Sequence, residues 1–212
     1  MRYNVLKVLA CFVIAIALIG AGCTSQEEGP SEETTEEPVR IGVIQWDDSR
    51  AGAYVFTGIL DEGDYEYEVV SADIGGLYQA TSQGDIDVLI HAWLPATQSS
   101  YWDKYGDSLN KAQVVSSGAR IGLTVPDYVY ESGITTVEDL KGNASKFDGK
   151  ITGIEPGAGI MVTTEQALEE YNLEEYELYS SSTVGMATEL QDKIDNEEPI
   201  VVTLWRPHWT FA

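Results

Sequence analysis

The sequence predicts an α/β protein with mainly parallel sheets, because short β-rich runs alternate along the chain with segments of helical pattern. Three of the apolar runs also share a feature, since each ends on a tryptophan: Trp46, Trp93 and Trp205. In open parallel sheets, ligands bind outside the carboxyl ends of the strands. The three indoles are therefore expected to face one crevice, although core packing is the commoner role of any single tryptophan.

Strands are placed on the apolar, β-branched runs and helices on the segments between them. The first helix is expected to start near Ser49 and to stop at Gly63, and a capping-box spacing from Thr135 to Glu138 predicts the start of the fourth helix. The predicted strands lie near residues 41–46, 66–72, 87–93, 119–125, 150–154, 177–180 and 199–205. The predicted helices lie at about 49–63, 76–83, 99–109, 136–141, 159–171 and 183–196.

A break in this pattern predicts two lobes. The run Ala119–Tyr128 carries a strand into a connection rich in tyrosine and glycine, and a new βαβ series begins at Lys150. Residues 39–124 are therefore predicted to form the first lobe and residues 125–212 the second. Two of the three tryptophans fall in the first lobe and one in the second, so a ligand held by all three would bridge the lobes.

The N-terminus predicts export from the cell. Arg2 and Lys7 lie at the start of an apolar stretch that is too short for a comfortable membrane span, so residues 1–22 are expected to be a signal peptide. The run Leu18–Cys23 resembles a lipobox, which would make Cys23 the lipid-modified residue that anchors the protein to the outer face of the membrane. Cleavage elsewhere, or an uncleaved anchor, is the alternative.

The chain is strongly acidic, with 35 acidic and 12 basic residues and a net charge of −23. Residues 23–38 are expected to be an unfolded tether, because they carry six glutamates, two prolines and no large apolar side chain. Most of the acidic residues lie elsewhere, so the folded part is acidic too. Such a surface repels phosphate backbones, so nucleic acid is not expected as a partner. A habitat of high salt is our hypothesis for this charge.

A glycine-rich turn follows the predicted strand at 150–154. In the run Ile154–Met161, glycines let backbone N–H groups approach an anion, and the N-terminus of the next helix adds a partial positive charge. A tight turn that needs glycine for its conformation explains this run alone equally well. Because indole faces attract a quaternary ammonium, the turn and the tryptophans together describe a zwitterion site, with the cation in the aromatic cage and the carboxylate at the helix terminus.

Several blocks of the chain resemble one family, the glycine betaine-binding lipoproteins of osmoprotectant ABC importers. The blocks are Ala92–Thr97 (AWLPAT), Gly122–Pro126 (GLTVP), Gly153–Met161 (GIEPGAGIM) and Thr203–Phe211 (TLWRPHWTF). The resemblance implies a periplasmic-binding-protein-like fold of type II, in which two lobes close around betaine in a cleft and present it to the permease and ATPase of the importer. Relatives continue past the last block, so the C-terminal part of the family fold is expected to be missing here and the first lobe to be incomplete.

The resemblance also implies roles for single residues. Trp46, Trp93 and Trp205 would form the cage for the cation. The backbone amides of Gly159 and Ile160 would hold the carboxylate.

Gln98 departs from the family pattern. Many relatives have at this position a histidine that donates to the ligand's carboxylate, whereas Gln98 can donate but carries no charge. His208 and Trp209 belong to a matching block and are expected to pack or to cap near the lobe boundary, and not to contact the ligand. Trp102 is expected to pack in a helix.

Two alternatives concern a different activity and a different ligand. A hydrolase using His208 would need further catalytic residues, and the sequence contains no nucleophile elbow, no zinc-protease motif and no thiolate pair, so no enzyme, metal or cofactor is expected. A binding protein for choline, carnitine or a sugar is the other alternative, although choline would leave the amide of Gly159 without a carboxylate. The residues do not distinguish glycine betaine from proline betaine.

Overall fold

The structure, a computed structural model, describes residues 37–211. The predicted signal peptide, the predicted lipidation site at Cys23 and nearly all of the predicted tether lie outside the described residues. Among residues 37–211, no helix combines the length and the apolar character that crossing a bilayer requires.

Strands and helices alternate along the described part of the chain, as the sequence predicts. The strands are β1 (Val39–Val43), β2 (Tyr67–Ser71), β3 (Val88–Leu89), β4 (Arg120–Thr124), β5 (Lys150–Thr152), β6 (Glu177–Tyr179) and β7 (Val202–Arg206). The helices are α1 (Asp47–Glu62), α2 (Ile74–Gln83), α3 (Ser99–Tyr105), α4 (Asp127–Glu131), α5 (Gly159–Glu170) and α6 (Thr183–Asp195). Short 3₁₀ segments occupy Gly106–Ser108, Glu138–Leu140, Ala144–Phe147 and Trp209–Phe211.

The strands form two sheets, one in each lobe. The first sheet has the order β2-β1-β3 with both pairs parallel, and the second has the order β4-β7-β5-β6. In the second sheet only the pair of β4 and β7 is antiparallel. The predicted two-lobed α/β fold with mainly parallel sheets is confirmed.

The change from one sheet to the other falls before β4. In the antiparallel ladder, Ile121 pairs with Trp205 and Thr124 pairs with Val202, so Arg120–Thr124 belongs to the second sheet. The sequence pattern placed the boundary after residue 124, because Pro126 and the connection that follows it look like a break. The backbone hydrogen bonds between β4 and β7 instead place the boundary before residue 120.

The third strand is much shorter than predicted. The apolar run was expected to stay in the sheet as far as Trp93, but β3 ends at Leu89. His91 has a φ of 65°, a left-handed conformation that is uncommon outside glycine and turns the chain out of the sheet. Trp93 therefore lies in the loop that follows the strand.

The capping box predicted from Thr135 to Glu138 forms one residue later, between Thr136 and Asp139. The backbone N–H of Asp139 donates to the Thr136 hydroxyl at 3.4 Å, and the carboxylate of Asp139 accepts hydrogen bonds from the backbone N–H groups of Thr135 and Thr136, at 2.9 and 2.8 Å. These bonds lower the pKa of Asp139 to about 2. The predicted fourth helix is reduced to the 3₁₀ segment at Glu138–Leu140, which this capping box starts.

A hydrophobic core continues across the cleft between the lobes. It joins Ile44, Ile74, Leu77 and Tyr78 of the first lobe to Ile154, Met161, Leu204 and Trp205 of the second. The second lobe has another core of its own, around Ile151 and Leu173. The first lobe has only a small separate cluster, formed under β1 by Ile41, Val43 and Ala53. Packing of the first lobe therefore depends in part on contact with the second.

Candidate ligand-binding site

A small cavity lies between the two lobes. The space open to the centre of a water-sized sphere is about 20 Å³, enough for one or two waters. Its walls include the three tryptophans and the two amide residues singled out in the sequence. The lining residues are Trp46, Trp93, Thr97, Ile121, Ile154, Ala158, Gly159, Ile160 and Trp205.

Trp46 and Trp205 are the most buried parts of the aromatic wall. Trp46 directly precedes α1 and Trp205 lies in β7, and each is only 5% exposed. Their ring centroids are 6.3 Å apart, with the ring planes tilted by 53°. Both indole N–H groups are buried without a hydrogen-bond partner among the described residues. These two side chains therefore serve as core residues and as cavity walls.

Trp93 completes the aromatic wall from the loop after β3. Its side chain is half-buried, and its indole N–H donates to Oδ2 of Asp48 at 3.2 Å. The other carboxylate oxygen of Asp48 is buried without a hydrogen-bond partner in the described part of the chain. A carboxylate thus lies beside the indole, which adds an attraction for a cation to that of the ring face.

Gly159 and Ile160 begin α5, where the first N–H groups of a helix have no partner within the helix. The residue before them, Ala158, has no side chain that could cap them. Gly159 is also required for the contact between the lobes, because a Cβ on it would lie 1.9 Å from the carbonyl oxygen of Thr97. The helix terminus therefore presents free amide donors and a partial positive charge to the cavity.

Gln98 is fully buried and does not line the cavity. Its Oε1 accepts hydrogen bonds from the Tyr78 hydroxyl and from the backbone N–H of Trp93, each at 3.0 Å. Because a backbone N–H can only donate, the atom facing Trp93 must be the oxygen. The remaining amide nitrogen, Nε2, is buried without a partner among the described residues. The neighbouring Thr97, and not Gln98, lines the wall.

His208 packs against the outside of the aromatic wall. Its side chain is only 1% exposed. Its ring packs edge-on against that of Trp205, with the ring centroids 4.7 Å apart. The backbone N–H of Thr210 donates to Nδ1 at 3.3 Å, which leaves the proton on Nε2, 4.0 Å from Oδ2 of Asp47. Burial lowers the pKa of His208, and the nearby Asp47 and Asp48 oppose that change. The geometry fits the packing role predicted for this residue.

The free energy of unfolding is expected to fall as the pH is lowered through the ordinary histidine pKa of 6.5. The pKa of His208 lies below its ordinary value of 6.5 in the folded chain, so the unfolded chain takes up a proton in this range that the folded chain does not. Stability therefore rises with pH until both states are uncharged at this ring. His208→Asn should remove this part of the slope in chemical denaturation across the range, and a variant with the parent's slope would contradict the assignment.

Two residues near the cavity were missed in the sequence. Asp48 carries no distinctive signal, because adjacent carboxylates at a helix start usually cap the helix. Tyr101 carries no motif at all, yet its hydroxyl donates to the carbonyl oxygen of Gly157 at 2.9 Å. A signal for either residue would have required knowing how the two lobes meet.

The fold and the cavity together define a class of protein. Two lobes, each with its own mainly parallel sheet, enclosing a small aromatic cavity between them are the architecture of a substrate-binding protein. The family described as OpuAC, the substrate-binding domain of the ABC-type glycine betaine transport system, matches residues 37–212. The chain belongs to this family.

Solved structures of relatives cover about four fifths of the chain. The glycine betaine/L-proline-binding protein ProX of Borrelia burgdorferi is 35% identical with a TM-score of 0.78, over 82% of this chain and 65% of that one. Lactococcal OpuAC, in a closed conformation with glycine betaine, is 34% identical with a TM-score of 0.76, and the match covers 83% of this chain and 67% of that one. A choline-binding protein in complex with choline is 28% identical with a TM-score of 0.75, and the match covers 81% of this chain and 60% of that one. The chain thus spans between 60% and 67% of these relatives' lengths.

Proposed function

We propose that the protein binds glycine betaine, or a related quaternary-ammonium compatible solute, outside the cell and delivers it to the permease and ATPase of an ABC importer in osmoprotection. The observation that carries this proposal is the meeting of three tryptophans from two lobes around one cavity, with the free amides of α5 at its edge. The family is one of transport substrate-binding domains and not of enzymes.

The cationic end of the ligand would lie among Trp46, Trp93 and Trp205. A trimethylammonium group cannot donate ordinary hydrogen bonds, so a dry aromatic wall binds it better than polar side chains do. The wall is largely removed from water, which strengthens the attraction between a cation and the ring faces. The carboxylate of Asp48 beside Trp93 adds a negative charge to this end of the cavity.

The carboxylate of the ligand would lie against the first amides of α5, those of Gly159 and Ile160. Gln98 would supply a third donor through Nε2. That group is buried and unpartnered in the described part of the chain, and a buried donor without an acceptor costs free energy that a ligand oxygen would recover. This role needs Gln98 to reach past the wall at Thr97 when the ligand is bound.

Choline is the second candidate ligand. The matching choline-binding structure and the carboxylate of Asp48 both favour a cation without its own negative charge. Against choline stands the amide site of Gly159 and Ile160, which would have no anion to bind. Carnitine, which carries both groups, is compatible with the site in the same way as betaine.

Outside residues 37–211 we propose the organisation indicated by the sequence. Residues 1–22 would direct export, Cys23 would carry the lipid anchor at the outer face of the membrane, and residues 23–38 would be the tether. The first lobe would then start at about residue 39, with the second beginning at β4.

Calorimetry of the full chain with glycine betaine, choline and glycine tests the proposed function. Glycine betaine is expected to bind most tightly, choline more weakly because it lacks the carboxylate, and glycine not at all because it lacks the methyl groups. Binding of choline in preference to betaine would favour the second candidate. If none of the three bound, the proposed function would be wrong.

A further inference from the structure

We propose that Tyr101 is a latch between the lobes, whose hydroxyl holds the loop before α5 against the first lobe and so sets the position of the Gly159 and Ile160 amides. We call residues 155–158 the glycine loop. The part of this inference that concerns ligand exchange rests on the proposed function, whereas the part that concerns the lobes does not.

The latch joins opposite sides of the cleft. Tyr101 lies in α3, which packs on α2 of the first lobe, and Gly157 lies in the glycine loop of the second lobe. The tyrosine hydroxyl donates to the carbonyl oxygen of Gly157 at 2.9 Å. Two residues further along the chain, Gly159 provides the first amide of α5. The bond therefore holds the backbone that presents the carboxylate-binding amides.

The backbone conformation of Gly157 permits this hydrogen bond. Its φ is 84°, a conformation that glycine adopts at no steric cost and other residues adopt rarely. A Cβ at this position would lie 3.3 Å from the Tyr101 hydroxyl. The loop thus turns its carbonyl toward the first lobe and leaves room for the tyrosine.

Tyr101 is itself held in place by contacts that lead back to the aromatic wall. Its ring stacks on Tyr78, with centroids 5.3 Å apart and planes 15° from parallel. The Tyr78 hydroxyl donates to Gln98, which also accepts the backbone N–H of Trp93. One continuous set of contacts therefore connects the wall at Trp93 with the glycine loop on the other side of the cleft.

The latch acts on the closed arrangement of the lobes. Its hydrogen bond exists only while α3 and the glycine loop are together, so it slows opening and has little effect on the encounter between ligand and open cleft. A residue that merely supported the fold would change both association and dissociation or neither. The separation of the two rates therefore distinguishes a latch from general support.

Tyr101→Phe removes the hydroxyl and keeps the ring. In stopped-flow tryptophan fluorescence of the full chain with glycine betaine, we expect its dissociation rate to rise by about 2- to 10-fold, the range for one net hydrogen bond, with the association rate changed by less than about 2-fold. Tyr105→Phe, in the same helix and with no hydrogen bond from its hydroxyl among the described contacts, should match the parent. A Tyr101→Phe variant with the parent's dissociation rate would overturn the latch.

A second measurement tests the latch without ligand. Spin labels at Val55→Cys in α1 and Val184→Cys in α6, both at exposed positions, report the separation of the lobes in a chain with Cys11→Ser and Cys23→Ser. Tyr101→Phe should lower the population of the short distance relative to the parent and to Tyr105→Phe. Equal distance distributions in all three chains would overturn the latch. Failure of the parent to bind betaine would contradict the proposed function, and the distances would then decide the latch alone.

Discussion

Replacing Gly159 by alanine is expected to weaken glycine betaine binding by on the order of 100-fold, the upper end of an overpacking cost of about 1–3 kcal/mol. The added Cβ would lie 1.9 Å from the carbonyl oxygen of Thr97 and 2.7 Å from its carbon. Both atoms are backbone atoms, so no change of rotamer relieves the overlap and the lobes must move apart. Calorimetry of the full chain measures the loss.

Gly58→Ala is the matched control for this substitution. Gly58 lies in α1, and nothing lies within 4 Å of the Cβ that alanine would add. Alanine there should raise stability by up to about 1 kcal/mol through helix propensity and leave betaine affinity unchanged. Betaine binding by Gly159→Ala at the parent's affinity would show that the close contact with Thr97 is not part of the bound state.

Replacing Trp93 by alanine is expected to weaken glycine betaine binding by about 1–3 kcal/mol, from the loss of a desolvated cation–π contact and of packing. Trp93 is the cleanest of the three tryptophans to test, because it is half-buried in a loop. Trp46 and Trp205 belong to the core that crosses the cleft, so alanine at either position should also cost about 3–5 kcal/mol of stability. Titration of the full chain by calorimetry gives the change in affinity.

Trp102→Ala is the control for Trp93→Ala, since Trp102 is also half-buried but does not line the cavity. It should change betaine affinity much less. A second control changes the ligand: 3,3-dimethylbutanoate (the anion of tert-butylacetic acid) has the shape of betaine and its carboxylate, without the cationic charge. Trp93→Ala should lower the affinity for betaine more than the affinity for 3,3-dimethylbutanoate. Equal losses for both ligands would mean that Trp93 contributes packing alone.

The sequence points to several residues that line the cavity because they carry strong local signals. Trp46 and Trp205 follow or end apolar runs, and a glycine-rich turn before a helix has few other uses than a tight turn or an anion site. The alternation of runs was likewise sufficient to predict mainly parallel sheets, and the break in that alternation to predict two lobes. These features depend on neighbours close in sequence, and periodicity reports such neighbours well.

Features that depend on contacts distant in sequence could not be predicted. The pairing of β4 with β7 joins segments on either side of the second lobe, and local pattern assigned β4 to the first. The third strand ends early at the left-handed backbone turn of His91, and no glycine marks that turn in the sequence. The hydrogen bonds that the oxygen of Gln98 accepts from Tyr78 and from the backbone of Trp93 were not visible in the sequence either, and the role of this residue toward a ligand stays a prediction.

Trp46 and Trp205 pack against each other across the cleft, with their ring centroids 6.3 Å apart. A trimethylammonium group is larger than the one or two waters that the cavity admits, so under the proposed function this ring pair would have to separate to let the group in. The energy of that ring pair is subtracted from the attraction that the ligand gains. The aromatic pair would thus set a threshold: a solute with few methyl groups would gain too little to displace it, and discrimination against ordinary amino acids would follow from a competition within the protein itself.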